Sequence, residues 1–488
     1  MNAKQESTEK ETTLGLTVRK SEDFSEWYTQ VVQKAELADY TSVSGCIVFR
    51  PLAYAIWEKI SAFVDSEIKK LGHQNVYFPL FIPEALLKKE EEHVEGFSPE
   101  VAWVTCAGDT ELSERLAVRP TSETIMYENY AKWIRSHRDL PLLLNQWCNV
   151  VRWEFKYPRP FLRTREFLWQ EGHTAHATED EADREVMDII NVYTELIESH
   201  LAIPILRGRK TDKEKFAGAL YTVTMEALMP DGKAIQMGTA HNLGQNFSKA
   251  FDISFTDADE KRKYVWQTSW AVTTRLIGTI IMVHGDDKGL VLPPRIAPTK
   301  AVIVPIIFEK SKKEVIAKAK ELREKLSSSD TLLDDQEEYS AGWKFNNYEL
   351  KGVPVRIELG PKDLEKNQCV FVRRDTGKKE FVGIENAPER LRETLDEMQK
   401  AMYDNAKRFL DENTVDAFEW NDFVNVIESR KMARSFWCGS LECEDWIKDK
   451  TGGATSRCIP LNDRVPEGMK CVYCQKPAKH TLYFSKAY

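Results

Sequence analysis

The chain has 488 residues, of which 42% are hydrophobic and 30% charged, and its formal net charge is −9. This length exceeds what one hydrophobic core usually organises, so we expect a globular protein of roughly two to four domains. The negative charge excludes a generic polyanion binder, and any contact with nucleic acid would have to rest on local basic patches.

The N-terminal region gives no indication of export or membrane insertion. Residues 1–20 are polar and lack the apolar segment of a signal peptide, and no apolar run in the sequence reaches membrane-spanning length. We therefore expect a cytoplasmic protein without a membrane partner. The same residues are rich in Lys, Glu, Thr and Ser and have little to bury, so a disordered tail is predicted over 1–20.

Two helices and a strand are predicted next. An amphipathic helix is expected over Ser25–Ala38, and a second helix over Pro51–Leu71 begins with proline and is followed by Gly72. Apolar residues recur at helical spacing in the second helix, so one of its faces should be buried. Alternation predicts a strand over Val76–Ile82, and Pro79 within it indicates an edge strand or pairing with another subunit.

The segment Ala117–Glu123 should follow a loop and open a helix that extends to Ile134. Thr121 or Ser122 can serve as the helix cap, with a carboxylate nearby, and such caps are common. A buried carboxylate without a partner is expensive, so Glu123 would need a good partner if it faces the interior.

The stretch Val150–His173 mixes basic, aromatic and acidic side chains. Its arginines are Arg152, Arg159, Arg163 and Arg165, with Glu154, Glu166 and Glu171 interleaved. Both flanks alternate apolar with polar residues, as in a pair of antiparallel strands. Guanidinium groups pair with phosphate oxygens, and a ring or guanidinium can cover a base, so this hairpin suits a nucleoside triphosphate. A charged hairpin with solvated arginines is the alternative that composition leaves open.

Further elements follow the hairpin. A helix is predicted over Glu179–His200, and Ala234–Asn242 should join an apolar strand to a turn at its glycine. His241 beside such a turn is most often structural. Trp266–Gly278 predicts a strand that runs into a helix, with Arg275 at the junction.

Residues beyond Pro298 predict an α/β unit. The expected strands are Ala301–Phe308, Val353–Leu359 and Cys369–Arg374, and the expected charged helix is Lys312–Leu326. Strands that alternate with helices indicate a sheet covered on both faces. Local positive charge comes from Arg356, Lys362, Arg373 and Arg374, and Glu358 could accept a hydrogen bond from a base. A solvated sheet edge would carry the same residues.

Two close cysteine pairs, Cys438-x4-Cys443 and Cys471-x2-Cys474, lie near the C-terminus. Short spacing within the pairs and a longer link between them predict one zinc ion held by four thiolates. Cys458 lies between the pairs and is the alternative ligand. Four protein ligands leave no open position, so this zinc would be structural. Disulfides are the alternative, but they are rare in a cytosolic chain.

Several segments resemble the motifs of the class II aminoacyl-tRNA synthetases, in the family's order. The helix, Gly72 and the strand with Pro79 are similar to motif 1. Arg152-Trp-Glu, a loop with prolines, and Arg163-Thr-Arg-Glu-Phe resemble motif 2, and Ser-Trp-Ala-Val-Thr-Thr-Arg275 resembles motif 3. The Thr-Ser-Glu123 signature resembles that of the synthetases that activate proline or threonine-like substrates, and the ending Phe-Leu-Trp-Gln-Glu-Gly-His of motif 2 resembles the prolyl-tRNA synthetases. With these motifs and the cysteine pairs near the C-terminus, the chain resembles the archaeal and eukaryotic type of that family.

This resemblance implies a three-domain architecture. The expected domains are an α+β catalytic domain with an antiparallel sheet and helices over 21–296, an α/β anticodon-binding domain over 297–405, and a small α+β zinc-binding domain over 406–488. Motif 1 forms a homodimer interface in the family, so a homodimer is expected. The terminal tyrosine approaches the active site in this type, which suggests that role for Tyr488, although an apolar tail could simply pack.

The resemblance also implies the reaction. L-Proline and ATP would form prolyl-adenylate and pyrophosphate, and the prolyl group would then pass to the 3′ end of tRNA(Pro). Such chemistry needs aligned anions and charge neutralisation at phosphorus rather than a side-chain nucleophile. Arg152, bridging the α-phosphate and the proline carboxylate, and Arg275 are the expected catalytic residues.

The family's substrate contacts map onto two sets of residues. The expected proline-binding residues are Thr121, Glu123, Arg152, Trp169, His173, Phe216 and His241. The expected ATP-binding residues are Arg152, Glu154, Arg163, Thr164, Phe167, Gln236, Thr239, Thr273 and Arg275. Glu154 would accept from the adenine amino group, Phe167 and Arg275 would cover the two faces of adenine, and Gln236 is a candidate Mg²⁺ ligand.

The resemblance leaves two alternative functions open, and one segment of the bacterial-type relatives is absent. Bacterial-type relatives carry an editing insertion between motifs 2 and 3, whereas the interval from His173 to Trp266 is accounted for by the core, so no editing by this chain is expected. A sister synthetase for threonine, glycine or serine is the nearest alternative, and a threonine enzyme should hold a metal in its substrate pocket. A synthetase-like binding or regulatory protein should have lost charged motif residues, which are present here.

Overall fold

The computed structural model describes residues 15–93, 100–326 and 330–488. The helices α1–α13 are, in chain order, Phe24–Lys34, Pro51–Lys70, Glu84–His93, Glu123–Trp133, Glu179–Thr194, Asn246–Phe251, Arg275–His284, Lys312–Leu326, Ala341–Leu350, Pro361–Leu364, Ala387–Glu412, Trp420–Glu428 and Leu441–Lys450. The strands β1–β24 are Ala38–Tyr40, Ile47–Phe49, Gln74–Asn75, Phe81–Pro83, Trp103–Ala107, Thr110–Val118, Leu142–Val151, Glu166–His176, Leu206–Arg209, Tyr221–Leu228, Lys233–Gly244, Ser254–Thr256, Arg262–Tyr264, Trp266–Thr273, Ala301–Pro305, Thr331–Leu333, Val355–Leu359, Gln368–Arg373, Lys379–Gly383, Thr414–Asp416, Met432–Trp437, Ala454–Ser456, Ile459–Pro460 and His480–Ala487. None of these helices is long and apolar enough to cross a membrane.

Tertiary contacts divide the chain into two compact units. The large unit comprises Asp39–Phe49, Ala53–Val283 and Lys400–Tyr488. The small unit comprises Arg50–Leu52, His284–Gln399 and the described residues of Met1–Ala38. The C-terminal segment predicted as a zinc-binding domain therefore shares a unit with the sheet predicted to carry catalysis.

A mixed sheet forms the centre of the large unit. Among the described residues it contains twelve strands, and its main path runs β20-β21-β24-β11-β14-β8-β7-β3. The predicted hairpin is confirmed as the antiparallel pair β7–β8, whose register runs from Leu142 opposite Ala175 to Val151 opposite Glu166. The pairs β8–β14 and β14–β11 are also antiparallel. The last strand, β24, pairs with β11 in parallel at Lys486 and Ala487, so the C-terminus extends this sheet.

The N-terminal helices agree with their predictions. α1 is present but ends at Lys34, short of the predicted Ala38, because Glu36 adopts a left-handed φ of 58°. α2 covers Pro51–Lys70, almost the whole predicted range, and buries one face with residues such as Ile56, Ile60 and Val64. Of the tail predicted over 1–20, residues 1–14 lie outside the described residues. Lys20 belongs to the small unit and donates hydrogen bonds to Asp287 and Gly285, each at 2.7 Å.

The single strand predicted over Val76–Ile82 is wrong. Two short strands, β3 and β4, lie in different sheets, and the chain between them forms no ladder. The N–H of Val76 bonds to the carbonyl of Asn145 at 2.8 Å, and the N–H of Phe78 bonds to the side chain of Gln146. Pro79 has no N–H to offer, so a side-chain acceptor and irregular backbone replace the ladder that alternation predicted.

Two further local predictions are wrong. Residues before Ala117 form the antiparallel pair β5–β6 rather than a loop, and this pair continues into β4. The glycine of Ala234–Asn242 makes no turn, because β11 runs through it. A Cβ at Gly238 would lie 2.9 Å from both Met225 and Val272, so this glycine permits close packing within the sheet. The strand-to-helix junction is confirmed, with β14 ending at Thr273 and α7 beginning at Arg275.

The small unit contains the predicted α/β sheet. Its strand order is β16-β15-β17-β18-β19, with the first three parallel and the rest antiparallel. Helix α8 has the predicted bounds. Three of the arginines predicted to lend positive charge are paired within the unit: Arg356 binds Glu358, Arg373 binds Asp375, and Arg374 binds Asp286 through both terminal nitrogens.

Candidate active site

A cavity of about 260 Å³ opens over β8, β11 and β14 in the large unit. The N-terminus of α4, the loop of the β7–β8 hairpin and the segment between β9 and β10 complete its walls. The predicted site residues that line it are Thr121, Glu123, Arg152, Arg163, Thr164, Phe167, Trp169, His173, Phe216, Gln236, Thr239, His241, Thr273 and Arg275. Glu154 is not among the lining residues, and its side chain is exposed.

The register of three antiparallel strands aligns these side chains in rows. Alternate residues of a strand share a face, so Phe167, Trp169, Glu171 and His173 of β8 face the cavity together. His173 lies opposite Ser269 of β14, and Ser269 lies opposite His241 of β11. Two rows further along the strands, Trp169 lies opposite Thr273, next to the start of α7. The cavity therefore has two ends, one at His173 and one at Arg275.

The first end, which we call the carboxylate end, contains Thr121, Glu123, Glu171 and His173. Glu123, Glu171 and His173 are at most 3% exposed. Glu171 accepts hydrogen bonds from Ser122 and Gln146, and its Oε2 lies 3.1 Å from Nε2 of His173. Thr121 donates to Glu123. This end presents buried negative charge whose geometry is fixed by neighbouring side chains.

His173 and Glu171 at this end stabilise each other's charged forms. Burial alone would lower the pKa of His173, but Glu123 and Glu171 outweigh burial and raise that pKa. Burial would raise the pKa of Glu171, whereas His173, Ser122 and Gln146 together lower it. Ligand atoms of Glu123, Glu171 and His173 lie within 4.8 Å of one another, so this group could also hold a metal ion.

A neutral histidine and an aromatic ring form the wall beside the carboxylate end. Burial, with a contribution from His173, lowers the pKa of His241 to about 3. Its Nδ1 lies 2.8 Å from the hydroxyl of Thr222 and its Nε2 lies 3.1 Å from the hydroxyl of Thr239. The ring of Phe216 lies 4.8 Å from the ring of His241. This wall carries no charge at neutral pH.

The second end, which we call the arginine end, contains Arg152, Arg163 and Arg275. The guanidinium of Arg152 lies 5.3 Å from the ring centre of Trp169, and its Nε donates to the carbonyl of Pro120 at 3.0 Å. Arg275 donates to the carbonyl of Gln236 at 3.2 Å. Burial, followed by repulsion from Arg152 and Arg163, lowers the pKa of Arg275 to about 10, so the three guanidinium groups concentrate positive charge.

Comparisons with known proteins agree with this geometry. A model of the tRNA synthetase class II core domain (G, H, P, S and T) matches residues 103–284, an anticodon binding domain matches 300–394, and a prolyl-tRNA synthetase C-terminal domain matches 420–488. Proteins named proline–tRNA ligase match 96% of the chain over 97% of their own length. They come from Ruminiclostridium cellulolyticum, Clostridium novyi and Natranaerobius thermophilus, with identities of 56%, 54% and 52%.

The chain belongs to the proline–tRNA ligase family of class II aminoacyl-tRNA synthetases. The predicted fold class is therefore confirmed, with a class II core, an anticodon-binding domain and the C-terminal domain of this family. The named relatives are bacterial, so the archaeal and eukaryotic type describes the domain organisation and not the source of such chains.

The four predicted cysteine ligands come together in this proline–tRNA ligase family member. Sγ atoms of Cys438 and Cys474 lie 3.6 Å apart, and those of Cys443 and Cys471 lie 3.5 Å apart. Tetrahedral zinc with Zn–S bonds of about 2.3 Å places sulfurs about 3.8 Å apart, so the spacing and the donor set suit zinc. A hydrogen bond from Cys443 and backbone N–H groups lower the pKa of Cys471, which favours the thiolate. Cys458 is not part of this group.

The C-terminal tyrosine lies beside the strand that carries Gln236. The N–H of Tyr488 bonds to the carbonyl of Ala234 at 3.1 Å, and its hydroxyl donates to Asp231 at 2.6 Å. Tyr488 is not among the residues that line the cavity. Its approach to the active site stays a prediction.

Sequence reasoning missed several lining residues. They include Phe155, Phe161, Leu162, Glu171, Glu214, Thr222 and Ser269. Glu171 was noted as a charged residue of the hairpin but received no role. Period-two alternation from Trp169 to His173 would have placed it on the same face. No comparable signal marks Phe161 or Leu162, because they lie in the hairpin loop outside any regular element.

Proposed function

We propose that the protein activates L-proline with ATP to form prolyl-adenylate and transfers the prolyl group to the 3′ end of tRNA(Pro). The observation that carries the proposal is the cavity itself, which has buried carboxylates at one end and clustered arginines at the other. Family membership supports the choice of proline among the substrates of class II enzymes.

Proline would bind at the carboxylate end. Its secondary ammonium is compensated by Glu123, with Thr121 beside it, and its compact ring suits the aromatic walls formed by Trp169 and Phe216. His241 is neutral at physiological pH and adds no second positive charge beside the ammonium. His173 fixes Glu171 behind this site.

ATP would bind at the arginine end. Arg152 can bridge the α-phosphate and the proline carboxylate, Arg163 and Thr164 can hold the distal phosphates, and Phe167 and Arg275 can cover adenine. Arg275 keeps its charge because its pKa of about 10 lies well above neutral pH. Mg²⁺ would accompany ATP, bound mainly to phosphate and water, with Gln236 as a candidate protein ligand.

The chemistry needs no protein nucleophile. A carboxylate oxygen of proline attacks the α-phosphorus, the bond to the bridging oxygen breaks, and pyrophosphate leaves. The 3′-hydroxyl of tRNA then attacks the prolyl carbonyl, loses its proton, and AMP leaves. The arginines contribute alignment and stabilise negative charge that grows at phosphorus.

Further properties are part of the same proposal. Domains over 21–296, 297–405 and 406–488 contain the three matched segments. We propose a cytoplasmic homodimer that binds tRNA(Pro) through the anticodon-binding domain and holds one structural zinc at the four cysteines. We also propose that this chain does not hydrolyse mischarged tRNA. Rapid deacylation of alanyl-tRNA(Pro) by the purified protein would contradict this last point.

A threonine-activating enzyme is the second candidate, because Glu123, Glu171 and His173 could hold a metal. Glu171 and His173 are already bonded to each other, Glu171 also accepts from Ser122 and Gln146, and Glu123 accepts from Thr121. A metal ion would have to displace several of these hydrogen bonds, whereas the ammonium of proline needs only the carboxylate of Glu123, which favours proline. The two candidates differ in which amino acid supports exchange of pyrophosphate into ATP.

Amino-acid-dependent ATP–pyrophosphate exchange tests the proposal. We expect exchange with proline and not with threonine, and we expect Arg152→Ala to lower it by about two orders of magnitude, because an electrostatic clamp contributes about 3 kcal/mol. Arg138→Ala is the matched control, since Arg138 is exposed and does not line the cavity. Absence of proline-dependent exchange by the wild type contradicts the proposal.

A further inference from the structure

The segment between β9 and β10 contributes to the cavity and also contacts the C-terminal part of the chain. Glu214 and Phe216 line the cavity, while the residues just before them contact the C-terminal part of the chain. Thr211 and Lys213 contact Glu444 and Asp445 directly. Lys210 contacts Glu226, which in turn binds Arg457. We call residues 210–216 the pocket segment.

A buried ion-pair triad holds the start of the pocket segment. Lys210 donates to Glu226 at 2.8 Å, and Arg457 donates to the other oxygen of Glu226 at 2.6 and 3.0 Å. Glu226 is fully buried, and Lys210 and Arg457 are less than 9% exposed. Removing one member of such a group leaves an uncompensated buried charge, so this anchor is costly to break.

Helix α13 provides two further anchors. Thr211 donates to Oε1 of Glu444 at 3.1 Å, and Ser456 donates to the same oxygen. Lys213 forms an ion pair with Asp445. Glu444 is 3% exposed, so its carboxylate faces the pocket segment and not solvent.

The backbone also approaches closely on this side. Strand β23 pairs with β9, placing Ile459 opposite Arg209 and Pro460 opposite Gly208. A Cβ at Gly208 would lie 2.3 Å from the carbonyl oxygen of Ile459, so only glycine permits this approach. The C-terminal part therefore also packs tightly against β9, the strand that leads into the pocket segment.

From these anchors, the pocket segment leads directly to the wall that Phe216 and His241 form beside the carboxylate end. The N–H of Phe216 bonds to the hydroxyl of Thr222 at 3.0 Å, and that hydroxyl lies 2.8 Å from Nδ1 of His241. The ring of Phe216 packs on the ring of His241. Phe216 is thus fixed on one side by the sheet and on the other by the segment that Glu444 holds.

We propose that Glu444 is a positioning residue for the proline pocket, acting through Thr211 and the pocket segment on Phe216. This inference rests on the proposed function, since it assigns Phe216 to the proline side of the cavity. Glu444 directly follows Cys443 in α13, so the cysteine group that suits zinc orients the same helix. The C-terminal part then contributes to substrate selection and not only to stability.

Steady-state exchange kinetics of Glu444→Ala test the proposal. We expect the KM for proline to rise about tenfold and the KM for ATP to stay within about twofold, because a displaced wall affects only the substrate that it touches. Glu442→Ala is the matched control: Glu442 flanks Cys443 on the other side and is exposed. We expect both KM values of this control to match the wild type.

Thr211→Val and Thr211→Ser keep the test decisive if Glu444→Ala fails to fold. We expect the valine variant, which lacks the hydroxyl at nearly equal size, to raise the KM for proline, and the serine variant to retain the wild-type value. Zinc content and the unfolding temperature of each variant are measured in parallel.

Three results would overturn the inference. The first is an equal change in both KM values of Glu444→Ala or Thr211→Val. The second is a rise in the proline KM only in variants that have lost their zinc. An unaltered proline KM in both variants also contradicts it. A wild type without proline-dependent exchange would refute the proposed function itself, which distinguishes the two failures.

Discussion

The two ends of the cavity hold their charges in different ways. At the carboxylate end, Glu123, Glu171 and His173 are buried and bonded to residues of neighbouring strands and helices. At the arginine end, Arg163 is exposed, and Arg152 and Arg275 are half-buried. A desolvated site with fixed partners suits a small rigid amino acid, whereas more exposed guanidinium groups suit a triphosphate that brings its own magnesium.

This difference predicts that the stability of the fold depends on the carboxylate end, whereas ATP binding depends on the arginine end. Buried charged groups contribute to stability only as complete networks, because removing one member leaves the others unpaired. Exposed arginines contribute little to stability and act mainly on their ligand. Substitutions at the two ends should therefore separate folding from catalysis.

The largest effect is expected for Glu171→Ala. The change leaves Ser122, Gln146 and His173 without their common acceptor, so the free energy of unfolding should fall by about 3 to 5 kcal/mol. Denaturant unfolding followed by circular dichroism measures this. Glu154→Ala, at an exposed residue of the same hairpin, should change the free energy of unfolding by less than about 0.5 kcal/mol. Equal losses in the two variants would remove the distinction between the ends.

An intermediate effect is expected for Arg163→Ala. Loss of one phosphate-binding guanidinium should raise the KM for ATP about tenfold, while the KM for proline and the free energy of unfolding stay close to the wild type. Exchange kinetics with each substrate varied in turn provide the measurement. A parallel rise in the proline KM would place Arg163 at both substrates and weaken the separation.

The smallest effect concerns pH. The pKa of His241 is about 3 in the folded protein, below the ordinary value near 6.5, so the unfolded state takes up this proton first as the pH falls. Acidification from pH 7.5 to 6.0 should therefore cost about 1 kcal/mol through His241. His173 acts in the opposite sense: its raised pKa stabilises the folded state below pH about 6.5 and this contribution is lost as the pH rises through the folded value.

His241→Asn isolates the first of these contributions. The difference in unfolding free energy between pH 7.5 and 6.0 should be smaller in this variant than in the wild type by about 1 kcal/mol. The other histidines contribute to both proteins and cancel in the comparison. An unchanged difference would show that His241 is not held neutral by its surroundings.

The sequence predicted residues of the site better than it predicted their surroundings. The resemblance to the family's motifs assigned Trp169, His173 and Arg275 to the site, and all three line the cavity. Strand alternation failed at Val76–Ile82, where Pro79 and a side-chain acceptor from Gln146 replace the ladder. Local pattern cannot show that a distant strand will supply a hydrogen bond.

Local sequence pattern also did not predict that the C-terminal part contacts the pocket segment. The cysteine spacing indicated a zinc site, and the structure brings those four residues together. Nothing in the spacing indicates that Glu444 contacts Thr211, because the two residues are far apart in the chain and each resembles an ordinary surface polar residue. Only the tertiary fold, in which β24 joins the central sheet, places them in contact.

The central claim is that one cavity binds proline and ATP at its two ends. A non-hydrolysable sulfamoyl analogue of prolyl-adenylate spans both ends, so calorimetric titration of this compound in the presence of each substrate tests the claim most directly. We expect proline and ATP each to compete with the analogue, and we expect Glu123→Gln and Arg152→Ala each to weaken its binding. Competition by only one of the two substrates would contradict the claim.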